Sequence, residues 1–256
     1  MQVRDIYEYL DGIAPFDTAL AYDNCGVLIG SMETEVTRVM VCLDVTQTIA
    51  DDAAQCGAEL IISHHPVIFH GLKQIPANGL VNRLIQNRLT VLSAHTNLDM
   101  AQYGVNYQLA KACGICLDTL WKLPREREHQ VDGFGLAGEL ATPMMPTEYA
   151  EFVKASLSTG CVKYTDGKKE IQTVAVSCGA GSFLLEEAIN SGVDALVTSE
   201  VKHHELIEAY EKGFTILDAG HYETEQIVVT PLAEELASRF PEVSFYTAGE
   251  NPVCYQ

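Results

Sequence analysis

The chain has 256 residues, 47% hydrophobic and 20% charged, the make-up of an ordinary soluble globular protein with core enough for one large domain or two of ordinary size. Its formal charge of −19, with 16 basic against 35 acidic side chains and no Lys/Arg run longer than Lys168-Lys169, gives counterion release no basic surface to act on, so a nucleic-acid partner is disfavoured. No apolar run approaches membrane-spanning length, the N-terminal residues carry charges where a secretory signal has its apolar core, and the eight scattered cysteines read as reduced thiols, so the expected location is the cytoplasm.

Hydrophobic periodicity predicts, in chain order, a helix over 3–10, strands over 26–29 and 39–43, a helix over 48–56, a strand over 60–63, a helix over 80–87, a strand over 91–93 and a helix over 106–112. A second series follows: helix 148–157, strands 162–164 and 173–177, helix 184–191, strand 195–198, helix 203–210, strand 215–217 and helix 227–237. Two further strands, 133–140 and 243–246, have no counterpart in this alternation.

The two series are copies of one another. Residues 39–63 lie without a gap on residues 174–198, with the acidic pairs Asp51-Asp52 and Glu186-Glu187 and the turn glycines Gly57 and Gly192 in register. Residues 89–94 match 214–219 in the same way. The repeat is therefore a half-chain, with halves 1–125 and 126–256, and the fold class is a duplicated α/β fold with mostly parallel sheets covered by helices.

Three segments carry side chains that bind divalent cations: Ser63-His64-His65-Pro66, His95-Thr96-Asn97-Leu98-Asp99 and Gly220-His221-Tyr222-Glu223-Thr224-Glu225. Adjacent residues on a strand point to opposite faces, so His64 and His65 reach one site only if the strand has ended, and Pro66 favours that by holding His65 extended. Asp99 is read as a ligand, although an isolated Asp here also suits a helix N-cap; His95 suits a ligand, a hydrogen-bonding neighbour or a proton carrier, and is read as the neighbour. His221 and Glu225, four apart, share a face of a helix that begins near Gly220. His64, His65, Asp99, His221 and Glu225 are too many for one catalytic zinc with an open position, so two divalent cations are expected. If the halves pack about a pseudo-twofold axis, a cleft between them collects all five.

Other segments are less specific. Glu200 falls on the repeat position of His65 and precedes Lys202-His203-His204-Glu205; this run suits a general base or substrate contact, Glu200 and His204 foremost, and equally a solvated helix start. Residues 177–182, Ser-Cys-Gly-Ala-Gly-Ser, join a strand to a helix and suit either an anion cradle or a plain turn. Cys113 and Cys116 form a lone CxxC without a second pair, which reads as structural.

The chain resembles the NIF3 family, whose members are also described as GTP cyclohydrolase I type 2 homologues. The resemblance is carried by residues 22–30 (Tyr-Asp-Asn-Cys-Gly-Val-Leu-Ile-Gly), the three ligand segments, Gly179-Ala-Gly-Ser182 and Thr198-Ser-Glu-Val-Lys202, which together span nearly the whole length. It implies three-layer α/β halves, a dinuclear metal centre on the same five residues and a homohexameric ring. Long members carry an extra domain between the halves; only residues 114–147 stand there, so the chain resembles the short form.

Two functions follow as expectations. One is a metal-dependent hydrolase of a small anionic, nucleotide-like substrate, in which His95 or His204 carries the proton; for cyclohydrolase chemistry the attacked atom would be the purine C8. The other is a non-catalytic protein that binds or delivers metal, or a ring-forming scaffold, which the shortage of Arg near the motifs favours. Zinc, iron, manganese and nickel all suit this donor set.

Overall fold

The computed structural model describes residues 1–123, 134–251, 253 and 254. The chain forms two compact units, Met1–Gln102 with Val228–Pro252, and Tyr103–Ile227 with the C-terminal residues. The first begins with α1 (Val3–Ile13), β1 (Gly26–Ile29), β2 (Arg38–Cys42), α2 (Gln47–Gln55), β3 (Leu60–Ser63), α3 (Leu80–Gln86), β4 (Thr90–Ser93) and the short α4 (Thr96–Asp99). The second holds α5 (Val105–Ala112), β5 (Trp121–Lys122), β6 (Leu136–Met144), α6 (Pro146–Ser156), β7 (Lys163–Tyr164), β8 (Ile171–Val176), α7 (Leu185–Asn190), β9 (Ala195–Thr198), α8 (His203–Glu211), β10 (Thr215–Asp218) and α9 (His221–Glu225). The chain then returns to the first unit with α10 (Val229–Arg239) and β11 (Ser244–Ala248).

Both sheets are mixed, with a parallel centre. The first runs β1-β4-β3-β2-β11, parallel except for β1 against β4. The second runs β5-β6-β8-β9-β10-β7; β8, β9 and β10 are parallel, and β5, β6 and β7 add antiparallel pairings. Strands covered on both faces need apolar residues at every position, and Leu60, Ile61 and Ile62 of β3 and Ala195, Leu196 and Val197 of β9 are all fully buried.

The helices form where the sequence supplies one apolar face and a start signal. In α1, Val3, Ile6 and Leu10 are the buried stripe. Thr46 caps α2 by accepting the Ile49 amide hydrogen at 3.2 Å, a contact worth about 1 kcal/mol. Val229, Leu232, Ala233 and Leu236 form the buried stripe of α10.

The duplication is visible in the hydrogen bonds at the strand heads. Glu59, at the start of β3, accepts the amide hydrogens of Thr37 and Arg38 and the Thr37 hydroxyl at the head of β2. Its repeat partner Asp194 accepts those of Gln172 and Thr173 and the Thr173 hydroxyl at the head of β8. Gly57 and Gly192 both adopt left-handed turns, φ +72° and +75°, which exclude most side chains.

The compact units do not follow the repeat. α5 comes from the first copy yet packs on β6, β8 and α9 in the second unit. α10 comes from the second copy yet packs on β2 and β11 in the first. The strand expected over 243–246 is β11, which occupies the edge of β2; the strand expected over 133–140 is β6, with residue 133 outside the described residues. The half-chain boundary at 125/126 also lies outside them. No described helix is long and apolar enough to cross a membrane.

Candidate metal centre

In the first unit β3 ends at Ser63, and the two histidines follow it. Their amides still pair with the end of β2, His64 with Cys42 at 3.1 Å and His65 with Leu43 at 2.9 Å, while the Ser63 hydroxyl donates to the His65 carbonyl at 2.8 Å. This local turn brings both rings together, with centroids 5.1 Å apart. His95, which leaves β4 and precedes α4, adds a third ring, 5.1 Å from His64 and 5.5 Å from His65. One ligand atom from each lies within 4.8 Å of the others.

Each ring is fixed by an acceptor at Nδ1. His64 Nδ1 donates to the Ala94 carbonyl at 2.9 Å, His65 Nδ1 to Asp44 at 2.7 Å and His95 Nδ1 to Asp23 at 2.9 Å. Carbonyl and carboxylate oxygens only accept, so the hydrogen sits on Nδ1 and Nε2 carries the lone pair. A carboxylate or carbonyl behind an imidazole is the support that metal-ligating histidines have. The donor set therefore fits a divalent cation.

Asp99 closes α4 with its carboxylate buried and Oδ1 3.3 Å from His64 Nε2. It is not a helix cap; Gly104 caps the next helix. The His95 ring stands as close to His64 as that of His65 does.

In the second unit His221 opens α9 as expected, after Gly220. Its Nε2 lies 3.1 Å from Glu225 Oε2, one helical turn on, and its Nδ1 donates to Glu200 Oε1 at 2.9 Å. Glu225 is buried. Glu200, the repeat partner of His65, thus holds an imidazole, and it does so with a left-handed backbone, φ +54°. His204 stands exposed on α8, with no hydrogen-bond or ion-pair partner among the described residues.

Residues 177–182 are a packing turn. The amides of Cys178, Gly179 and Gly181 are given to Asn106 Oδ1, Thr224 Oγ1 and Thr198 Oγ1, at 2.8, 3.1 and 3.0 Å, and are spent before any anion arrives. Gly179 serves the site by its lack of a side chain, since a Cβ there would stand 2.2 Å from Glu225 Oε1 and 3.2 Å from His221 Nε2. The CxxC is structural too: burial pushes the Cys113 thiol up to about 12, and both cysteines are free.

Two carboxylates that sequence reasoning misses do much of the orienting. Asp44 lies just past the end of β2, where its only signal is that position. Asp23 lies in the 22–30 segment that carries part of the family resemblance, with nothing in its spacing to give a role. Its side chain is fully buried. Burial opposes its charge, yet hydrogen bonds from His95 and Thr96 hold its carboxyl well below the usual range.

The sequence profile of Duf34/NIF3 (NGG1p interacting factor 3) matches residues 1–252. The chain belongs to the DUF34/NIF3 family. A Clostridium perfringens relative named "GTP cyclohydrolase 1 type 2 homolog" is 31% identical over 260 residues, covering 98% of this chain and 97% of its own. A Staphylococcus aureus relative of the same name aligns over 345 positions at 25% identity, so it carries residues that this 256-residue short form lacks. Among solved structures, a Staphylococcus aureus protein superposes with a TM-score of 0.89 at 27% identity, covering 100% of this chain and 99% of that one. A Bacillus cereus protein related to NIF3 shares the fold at a TM-score of 0.88 and 21% identity, covering 100% and 99%.

Proposed function

We propose that this DUF34/NIF3 member is a metal-dependent hydrolase of a small anionic, nucleotide-like substrate. Two divalent cations per chain would be held by His64, His65 and Asp99 with His221 and Glu225. The observation that carries the reading is the set of imidazoles whose Nδ1 hydrogens are all engaged by acceptors, so that each offers Nε2. Bound cations would supply positive charge that acidifies water and polarises the scissile group.

The chain's own residues do the rest. Asp44, the Ala94 carbonyl and Glu200 orient His65, His64 and His221. His95 Nε2 takes up and returns a proton beside the donors, in an otherwise acidic protein whose charge makes cations necessary for an anionic substrate. The relatives' name makes GTP the first substrate to try. The protein is further read as cytoplasmic, from its scattered cysteines, and as a homohexamer, as the family resemblance implies.

The test is a screen of nucleotides and phosphoesters with protein loaded in turn with zinc, iron, manganese and nickel. Turnover that His65→Ala abolishes without unfolding supports the hydrolase. Tight binding of metal with no turnover by any loaded form favours the storage or delivery reading instead.

A further inference from the structure

Asp23 is a heavily engaged carboxylate beside His95, and none of the ligand assignments uses it. Its Oδ1 accepts the His95 Nδ1 hydrogen at 2.9 Å and the Asn24 amide hydrogen at 2.7 Å. Its Oδ2 accepts the Thr96 amide hydrogen at 3.0 Å, the Thr96 hydroxyl and the Cys25 thiol, with sulfur at 3.1 Å. Five donors on a fully buried carboxylate leave it no freedom to rotate. Burial, with Asp23 close by, pushes the Cys25 thiol up to about 12, so that thiol stays a donor.

The neighbouring residues tie down the same corner. Asn24 donates its side-chain amide to the Ile68 carbonyl, and the Tyr22 ring lies 6.4 Å from that of Phe69, which is itself 6.2 Å from the His95 ring. Three consecutive residues therefore fix the loop that follows His65 and the ring of His95 together.

We propose that Asp23 is a positioning residue that holds His95 in the tautomer with hydrogen on Nδ1 and the lone pair on Nε2, the nitrogen it presents to His64 and His65. The inference rests on the hydrolase reading only for what that lone pair does, which is to accept a proton. Asp23→Asn should reverse the tautomer. Each oxygen faces one backbone amide that cannot turn round, Asn24 at Oδ1 and Thr96 at Oδ2, but the Oδ2 side carries two further donors, the Thr96 hydroxyl and the Cys25 thiol, and so keeps the oxygen. The new amide NH2 therefore takes the place of Oδ1 and points a hydrogen at His95 Nδ1. Only the imidazole can adapt, by moving its own hydrogen to Nε2, where it blocks both proton acceptance and metal binding. The same exchange in a serine-protease triad leaves the geometry intact and costs about 10⁴-fold in kcat.

The test is solid-state NMR of the zinc-loaded full chain labelled with ¹³C,¹⁵N-histidine, at about pH 8.5, where an ordinary imidazole is neutral. There are eight histidines, and His95→Gln identifies the signal of interest. Correlation of each ring nitrogen with its carbon neighbours tells Nδ1 from Nε2. Hydrogen on Nδ1 in the wild type, moved to Nε2 in Asp23→Asn, is the expected result. A wild-type His95 protonated on Nε2, or an unchanged tautomer in the variant, overturns the proposal. Should Asp23→Asn not fold, the wild-type spectrum decides alone. No substrate enters the measurement, so it stands or falls apart from the hydrolase reading.

Discussion

Asp44 accepts the Nδ1 hydrogen of His65 at 2.7 Å, and this one bond decides which nitrogen of His65 carries the lone pair. Its side chain is 42% exposed, so it contributes little to the core. Asp44→Ala is therefore expected to leave the melting temperature nearly unchanged while weakening zinc binding about 10- to 100-fold. Calorimetric titration of chelator-stripped protein measures the second quantity; an unchanged affinity would separate Asp44 from the site.

Gly179 gives a steric test of the second unit. Its φ is +55°, and a Cβ would run into Glu225 Oε1. Gly179→Ala should cost about 1–3 kcal/mol through backbone strain and the displaced carboxylate. Thermal melting and zinc affinity should fall together. A variant that melts and binds like the wild type would mean that Glu225 is not held as described.

Glu59 sets one pH dependence. Burial tends to raise its pKa, but hydrogen bonds from Thr37 and Arg38 outweigh that and lower it. Because the folded value lies below the unfolded one, about 4.3, the stabilisation is complete above that pH and is lost as pH falls through the folded value. Glu59→Gln should lower stability at neutral pH and flatten the acid limb of the stability curve below about pH 4. Urea melts at a series of pH values read this directly, and parallel curves for the two proteins would contradict it.

The crossed ownership of helices makes the halves dependent on each other. A fragment 1–125 lacks α10 and β11, which cover and extend β2, and should be aggregated or without a cooperative melt by circular dichroism. Co-expressed 1–125 and 126–256 should purify together. A monomeric, cooperatively melting 1–125 would show instead that the first copy folds alone.

The sequence speaks most clearly where one strong local pattern is enough. The parallel strands are short apolar runs, and their residues, such as Leu60 to Ile62, are legible because a strand buried on both faces tolerates nothing else. The placement of His64-His65 past a strand end follows from the apolar run and Pro66, and that of His221 and Glu225 on one helix face from their spacing. Long-range relations are different. That β11 joins β2, or that Asp23 lies against His95 with 71 residues between them, leaves no mark in local spacing. The short α4 is missed for a related reason: four residues carry too little periodicity to show a helix. The repeat aligns Glu200 with His65 but cannot say that one is an imidazole with a carboxylate behind it and the other a carboxylate behind an imidazole.

The central claim, that the chain holds two divalent cations on these five residues, is tested most directly by zinc titration of chelator-stripped protein, with the bound metal counted by mass spectrometry. About two equivalents per chain are expected in the wild type and fewer in both His65→Ala and Glu225→Ala, with the fold retained. No tight zinc in the wild type, or two equivalents undiminished in both variants, would contradict it.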